Sequence, residues 1–61
     1  MIEVGSLVRA EACYMDAVLG IVIGHWTHEL SGEEHVLVKW IEGLCVGETD
    51  AMLPDNLEII A

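Results

Sequence analysis

Sixty-one residues make one domain, and a chain this short buries only about 60% of the surface its unfolded form exposes. Yet 54% of the residues are hydrophobic and the mean hydropathy is +0.53. Only Arg9 and Lys39 offset eleven acidic residues, for a net charge of −9 and a pI near 4.3, which argues against direct nucleic-acid binding and against anionic membrane surfaces, since both need Lys and Arg to meet phosphate. The acidic balance instead favours basic partners, or keeps an apolar surface soluble.

The chain is expected to be cytoplasmic. Met1 to Gly5 has no basic n-region of a signal peptide. The longest apolar run, Ala17 to Gly24, has eight residues and two glycines, against the ~18 of a membrane-spanning helix. Cys13 and Cys45 are too few and too far apart for a disulfide scaffold and read as free thiols.

Val4-Gly5-Ser6 opens the chain as a turn. Ser6 to Ala10 reads as the first strand, with Val8 and Ala10 inward because Arg9 faces water. Glu11 to Val18 fits neither period and reads as a loop, with a short helical turn as its alternative. Leu19 to Trp26 is the second strand, and simple alternation puts Gly20, Val22, Gly24 and Trp26 on one face. Glycines inside a strand mark bends or close backbone approach. Leu30-Ser31-Gly32-Glu33 is a turn signal, so the second and third strands form an antiparallel hairpin. His28, Glu29, Glu33 and Glu34 stand at its exposed end.

His35 to Ile41 is the cleanest strand, with Val36, Val38 and Trp40 alternating against His35, Leu37, Lys39 and Ile41. Glu42 to Gly47 is a loop. Glu48 to Leu53 reads as a fourth strand, with Thr49, Ala51 and Leu53 opposite Asp50 and Met52. Pro54-Asp55-Asn56 predicts a 3₁₀ turn, and Leu57 to Ile60 a fifth strand. The fold class that follows is all-β: a small five-stranded antiparallel barrel over residues 1–61, closed because closure hides the sheet edges.

Val4-Gly5-Ser6-Leu7-Val8-Arg9, Gly20-Ile21-Val22, Val36-Leu37-Val38-Lys39-Trp40 and Leu53-Pro54-Asp55-Asn56-Leu57-Glu58-Ile59-Ile60 together resemble a small SH3-like barrel of the KOW or Tudor type. The likeness is greatest to the short SH3-like proteins of tailed phages, including cyanophages. It spans most of the chain outside Glu11 to Ala17 and implies the fold more than a function, because this architecture hosts many. Two departures stand out. KOW-type nucleic-acid binders are basic. Tudor-type readers need an aromatic cage, for which Tyr14, Trp26 and Trp40 are the only aromatic rings apart from histidine. Gly20 to Trp26 also loosely resembles a strand of the plasmid-borne type II dihydrofolate reductase, a tetrameric pore enzyme. Neither its Val-Gln-Ile-Tyr segment nor its lysine-lined pore is matched.

No catalytic, metal or cofactor set stands out. His25, His28, Cys13 and Cys45 are zinc-ligand types, but a lone Cys, a His-x-x-His and another lone Cys are not a ligand spacing. They read as solvent-facing histidines and half-buried thiols. His35 with Glu33 or Glu34 is a candidate pH-sensitive pair and reads more simply as hairpin-end polarity.

The functional expectation comes from volume. A barrel this small takes roughly a dozen inward side chains, so apolar residues must remain outside. Ile21, Ile23, Leu37 and Ile41, flanking Lys39, form an apolar strip on the second–third hairpin. Such a strip implies a protein partner or self-association. Glu29, Glu33, Glu34, Glu42, Asp50 and Asp55 would form an acidic rim that steers a basic partner. The expected function is therefore a non-enzymatic interaction module, phage-encoded on the resemblance, that binds a host protein or serves a larger assembly. The alternatives are an acidic nucleic-acid mimic that inhibits a DNA-binding host protein and a reductase of the pore type.

Overall fold

The computed structural model describes residues 2–11, 17–43 and 46–61. The elements run β1 (Leu7–Glu11), β2 (Ala17–Thr27), β3 (Glu34–Trp40), β4 (Thr49–Met52), a 3₁₀ turn (Pro54–Asn56) and β5 (Glu58–Ile59). All pairings are antiparallel, in one sheet ordered β4-β3-β2-β1-β5. The expected strands are all present. Ala17 and Val18, expected in a loop, belong to β2, because Val18 pairs with Ala10 and is buried. Glu11, at the start of that expected loop, belongs to β1 and pairs with Ala17; residues 12–16 lie outside the described residues.

Two local devices shape the hairpin and the last turn. Between β2 and β3, the His28 N–H donates to Glu33 O and the Gly32 N–H to His28 O, at 2.8 and 2.9 Å. Gly32 sits at φ +73°, a left-handed conformation that glycine adopts without Cβ strain. Pro54 starts the 3₁₀ turn, where its missing N–H costs nothing; Asn56 N–H donates to Leu53 O and Leu57 N–H to Pro54 O. Beyond β5, Ile60 N–H donates to Leu7 O and Leu7 N–H to Ala61 O, both at 2.7 Å, so the chain's last residues remain tied to β1.

Closure is the first correction. The sheet is not closed: β4 and β5 are its two edges and do not pair. Four residues in one and two in the other offer too short a ladder. The 3₁₀ turn carries the chain from one edge toward the other and packs against β3. Ile59 pairs with Val8 on the core side of β1 and is still 54% exposed.

The core lies on the inner face: Ile2, Val8, Ala10, Val18, Val22, Val36, Val38 and Trp40 are buried, with Met52 and Leu57 packed against them. The alternation expected of Val36, Val38 and Trp40, and of Val8 and Ala10, is what the sheet uses. Gly20 pairs with Trp40, and a Cβ there would run into Val38 Cγ1 and approach Trp40 Cε3 to 2.8 Å. The indole therefore lies on bare backbone.

The second correction concerns β2. Gly20, Ile21 and Val22 pair with Trp40, Lys39 and Val38 in regular order, but Gly24, not Ile23, pairs with Leu37. Ile23 is the extra residue of a β-bulge. One inserted residue exchanges inside and outside for everything after it. His25 consequently pairs with buried Val36 on the inner face, while Trp26 pairs with His35 on the outer face and is 45% exposed. Gly24 and Trp26 thus do not share the face of Val22, as simple alternation predicts. A Cβ at Gly24 would stand 3.5 Å from Leu37 Cδ1, in ordinary contact with it.

Gly20→Ala should destabilise the fold by about 1–3 kcal/mol through overpacking against Trp40 and Val38. In urea unfolding, the midpoint should fall with an unchanged slope. An unchanged midpoint would mean that the indole is not seated on this glycine.

Candidate functional site

The outer face of β1, β2 and β3 is built by the same alternation that fills the core. With Val22 and Val38 inward, Ile21 and Lys39 are direct cross-strand partners pointing out. Leu37 and Ile41 lie on either side of Lys39 along the same face. Ile41 N–H donates to Leu19 O at 3.0 Å, which extends the β2–β3 pairing past the end of β3. Ile21, Ile23 and Ile41 are 38%, 47% and 43% exposed. Leu37 is half-buried because it leans across Gly24.

The strip is wider than the five expected residues. Leu7 pairs with Ile21 and Leu19 with Arg9, which adds two half-buried leucines. Alternation against Val8 already places Leu7 outside; what the sequence lacks is the register that sets it beside Ile21. Trp26 enters the outer face only through the bulge. Its ring meets His35 at 5.1 Å and His28 edge-on at 5.5 Å between centroids.

Both basic residues lie on this face. Arg9 pairs with Glu58 directly across β1 and β5, and their side chains form an ion pair. Lys39 is exposed and makes no ion pair among the described residues.

The six acidic residues are distributed over several elements and do not ring the strip. Glu29 and Glu33 lie in the hairpin turn, Glu34 opens β3, Glu42 follows it at the other end, and Asp55 sits on the 3₁₀ turn. Asp50 has a separate task. It pairs across from Val38, on the core side of β4, and its Oδ2 accepts the Trp40 indole N–H at 2.6 Å. A buried indole N–H needs such a partner.

The three histidines have unlike surroundings. His25 Nε2 lies 2.6 Å from Ile2 O and donates to it. His28 Nδ1 accepts from the backbone N–H groups of Leu30 and Ser31, at 3.2 and 3.3 Å, and so caps its own turn. His35 Nε2 is 3.3 Å from Glu33 Oε1, while its buried Nδ1 has no hydrogen-bond partner. Among the described residues, no three His, Cys, Asp or Glu side chains group to hold a metal ion. Cys13, Cys45 and Tyr14, the other members of the zinc and cage readings, lie outside the described residues. No helix among the described residues is long and apolar enough to cross a membrane.

Comparison with family models, curated proteins and solved structures returns no match to this chain.

Asp50→Ala should cost about 1–2 kcal/mol by leaving the indole N–H unpaired, and Asp50→Asn, which keeps an oxygen acceptor, clearly less. Thermal unfolding of the two variants checks this. Equal losses would show that the carboxylate's charge, not the hydrogen bond, is what matters.

Proposed function

We propose that this chain is a non-enzymatic protein-interaction module whose contact surface is the outer face of β1, β2 and β3. A protein partner, or a second copy, would cover Ile21, Ile23, Leu37 and Ile41 around Lys39. One observation carries the reading. Three isoleucines on that face are 38%, 47% and 43% exposed, in a domain whose buried core numbers eight residues among those described. Contiguous apolar surface of this kind is commonly a contact site.

The resemblance to short SH3-like phage proteins supports the remainder of the reading. The partner is a host protein or a component of a larger assembly, met in the cytoplasm of an infected cell. The acidic residues at the hairpin end act at long range, raising the encounter rate with a basic partner. Because Arg9 is neutralised by Glu58, Lys39 is the one cation of this face without an ion-pair partner among the described residues, and the contact is mainly apolar.

A second reading draws on Glu29, Glu33 and Glu34, three carboxylates within one hairpin end. There the chain imitates nucleic acid and occupies a DNA-binding host protein. Salt separates the two, because screening at about 0.15 M reaches beyond ~8 Å and weakens charge-driven binding far more than apolar contact.

The double variant Ile21→Glu, Ile41→Glu should change stability by only about 1 kcal/mol, since both positions face water. It should abolish self-association in sedimentation equilibrium, or capture of the partner. Glu29→Gln with Glu33→Gln should leave both nearly intact. The reading fails if the wild type is monomeric at the highest attainable concentration and the double variant captures the same proteins as wild type.

A further inference from the structure

We infer a second binding site on the opposite face of the sheet: the cavity at its unclosed side takes a long cationic side chain, lysine or arginine, from a basic partner protein. The site does not rest on the outer-face reading: it uses none of Ile21, Ile23, Leu37, Lys39 and Ile41, and it meets the outer face only at His35, which lines the cavity and also packs against Trp26.

The cavity has a volume of about 300 Å³, at the small end for ligand pockets. It accommodates one long side chain. Its walls are mainly apolar: Val36 on β3, Ile2 before β1, and Pro54, Leu57 and Ile59 from the closing segment. Ile59 faces the core side through its pairing with Val8, yet it is 54% exposed. Buried Val36 and Ile2 thus form part of the wall, and Pro54 and Ile59 add apolar surface that the chain itself leaves uncovered.

The bulge at Ile23 keeps this space open. In an unbroken ladder, Trp26 would share the inner face with Val22 and project toward this end. The shifted register turns Trp26 outward and sets His25 opposite Val36 instead. His25 and His35 also line the cavity; the His25 Nε2 is occupied by Ile2 O, the His35 Nε2 lies 3.3 Å from Glu33 Oε1, and the His35 Nδ1 is buried without a hydrogen-bond partner.

The polar character selects the ligand. Glu34 alternates with Val36 onto the inner face, and it is the one lining residue with a formal charge at pH 7 when histidine is neutral. Glu33 lies in the adjoining turn, within ion-pair distance of His35, and the whole chain carries −9. An anion would meet repulsion from Glu34 and from a chain of net charge −9. A lysine or arginine side chain matches both parts: its methylene stem lies along apolar walls while its charged head reaches a carboxylate at the rim. The chain's own cations are placed elsewhere, Arg9 with Glu58 and Lys39 on the outer face.

The test is an amide NMR titration of the full chain at neutral pH with three capped peptides, Gly-Lys-Gly, its norleucine counterpart and its glutamate counterpart. Norleucine keeps the apolar stem and removes the charge. The lysine peptide should shift His25, Val36 and Ile59, binding about threefold to fivefold more tightly than norleucine, the range of one partly exposed ion pair. The glutamate peptide should not bind. Glu34→Gln should erase the lysine preference with an unchanged melting temperature, because Glu34 is exposed, and Ile21→Glu should leave the shifts intact. Equal binding of lysine and norleucine, shifts confined to the outer strip, or no shifts at millimolar peptide would each overturn the proposal. If raising the concentration of the wild type alone, but not of Lys39→Gln, moves the same resonances, the occupant is a second copy and the basic-partner assignment is wrong.

Discussion

The indole of Trp40, fully buried on the bare backbone of Gly20, is the contact on which this sheet depends. It sits on β3, whose two neighbours both answer to it. On one side β2 must present a residue without a side chain. On the other, β4 must present an acceptor for the indole N–H, and Asp50 does so. One ring therefore fixes three strands. Losing a core tryptophan costs on the order of 3–5 kcal/mol, a large share of the ~5–15 kcal/mol by which ordinary domains are stable. With eight buried core residues among those described, there is little to replace it.

From this arrangement follow two faces of opposite chemistry. The outer face holds isoleucines and leucines together with both of the chain's cations. The inner face holds the core and, past its end, an apolar cavity with a carboxylate at the rim. The ion pair of Arg9 with Glu58 is exposed on both sides and contributes little to stability. Its consequence is to remove one positive charge from the outer face, leaving Lys39 as the cation there without an ion-pair partner among the described residues. Association through the strip would rest on apolar area, whereas occupation of the cavity would discriminate by charge. Salt would affect the two proposed contacts differently.

Much of the fold is legible in the residues alone. The alternation in β3, the inward Val8 and Ala10, the turn at Gly32 and the 3₁₀ turn at Pro54 depend on near neighbours and on residue-intrinsic geometry. So does the excess of apolar side chains: ten large hydrophobic residues stand exposed among those described. The strip was legible to the same extent, because Ile21, Leu37 and Ile41 are outside wherever Val22, Val38 and Trp40 are inside. Leu7 and Leu19 join it through register, which two strands decide together. Asp50 read as one more surface carboxylate, since nothing near it in sequence announces an indole ten residues earlier.

The amino-acid order by itself therefore determined the strands, their inward faces and the surplus of apolar surface, because these follow from period, turn chemistry and volume. Tertiary structure alone decided that Ile23 is extra, that Trp26 turns out while His25 turns in, and that the sheet stays open between β4 and β5. A bulge and an unpaired edge are properties of how two strands meet. A run such as Gly20 to Trp26 satisfies either face until its partner fixes the register.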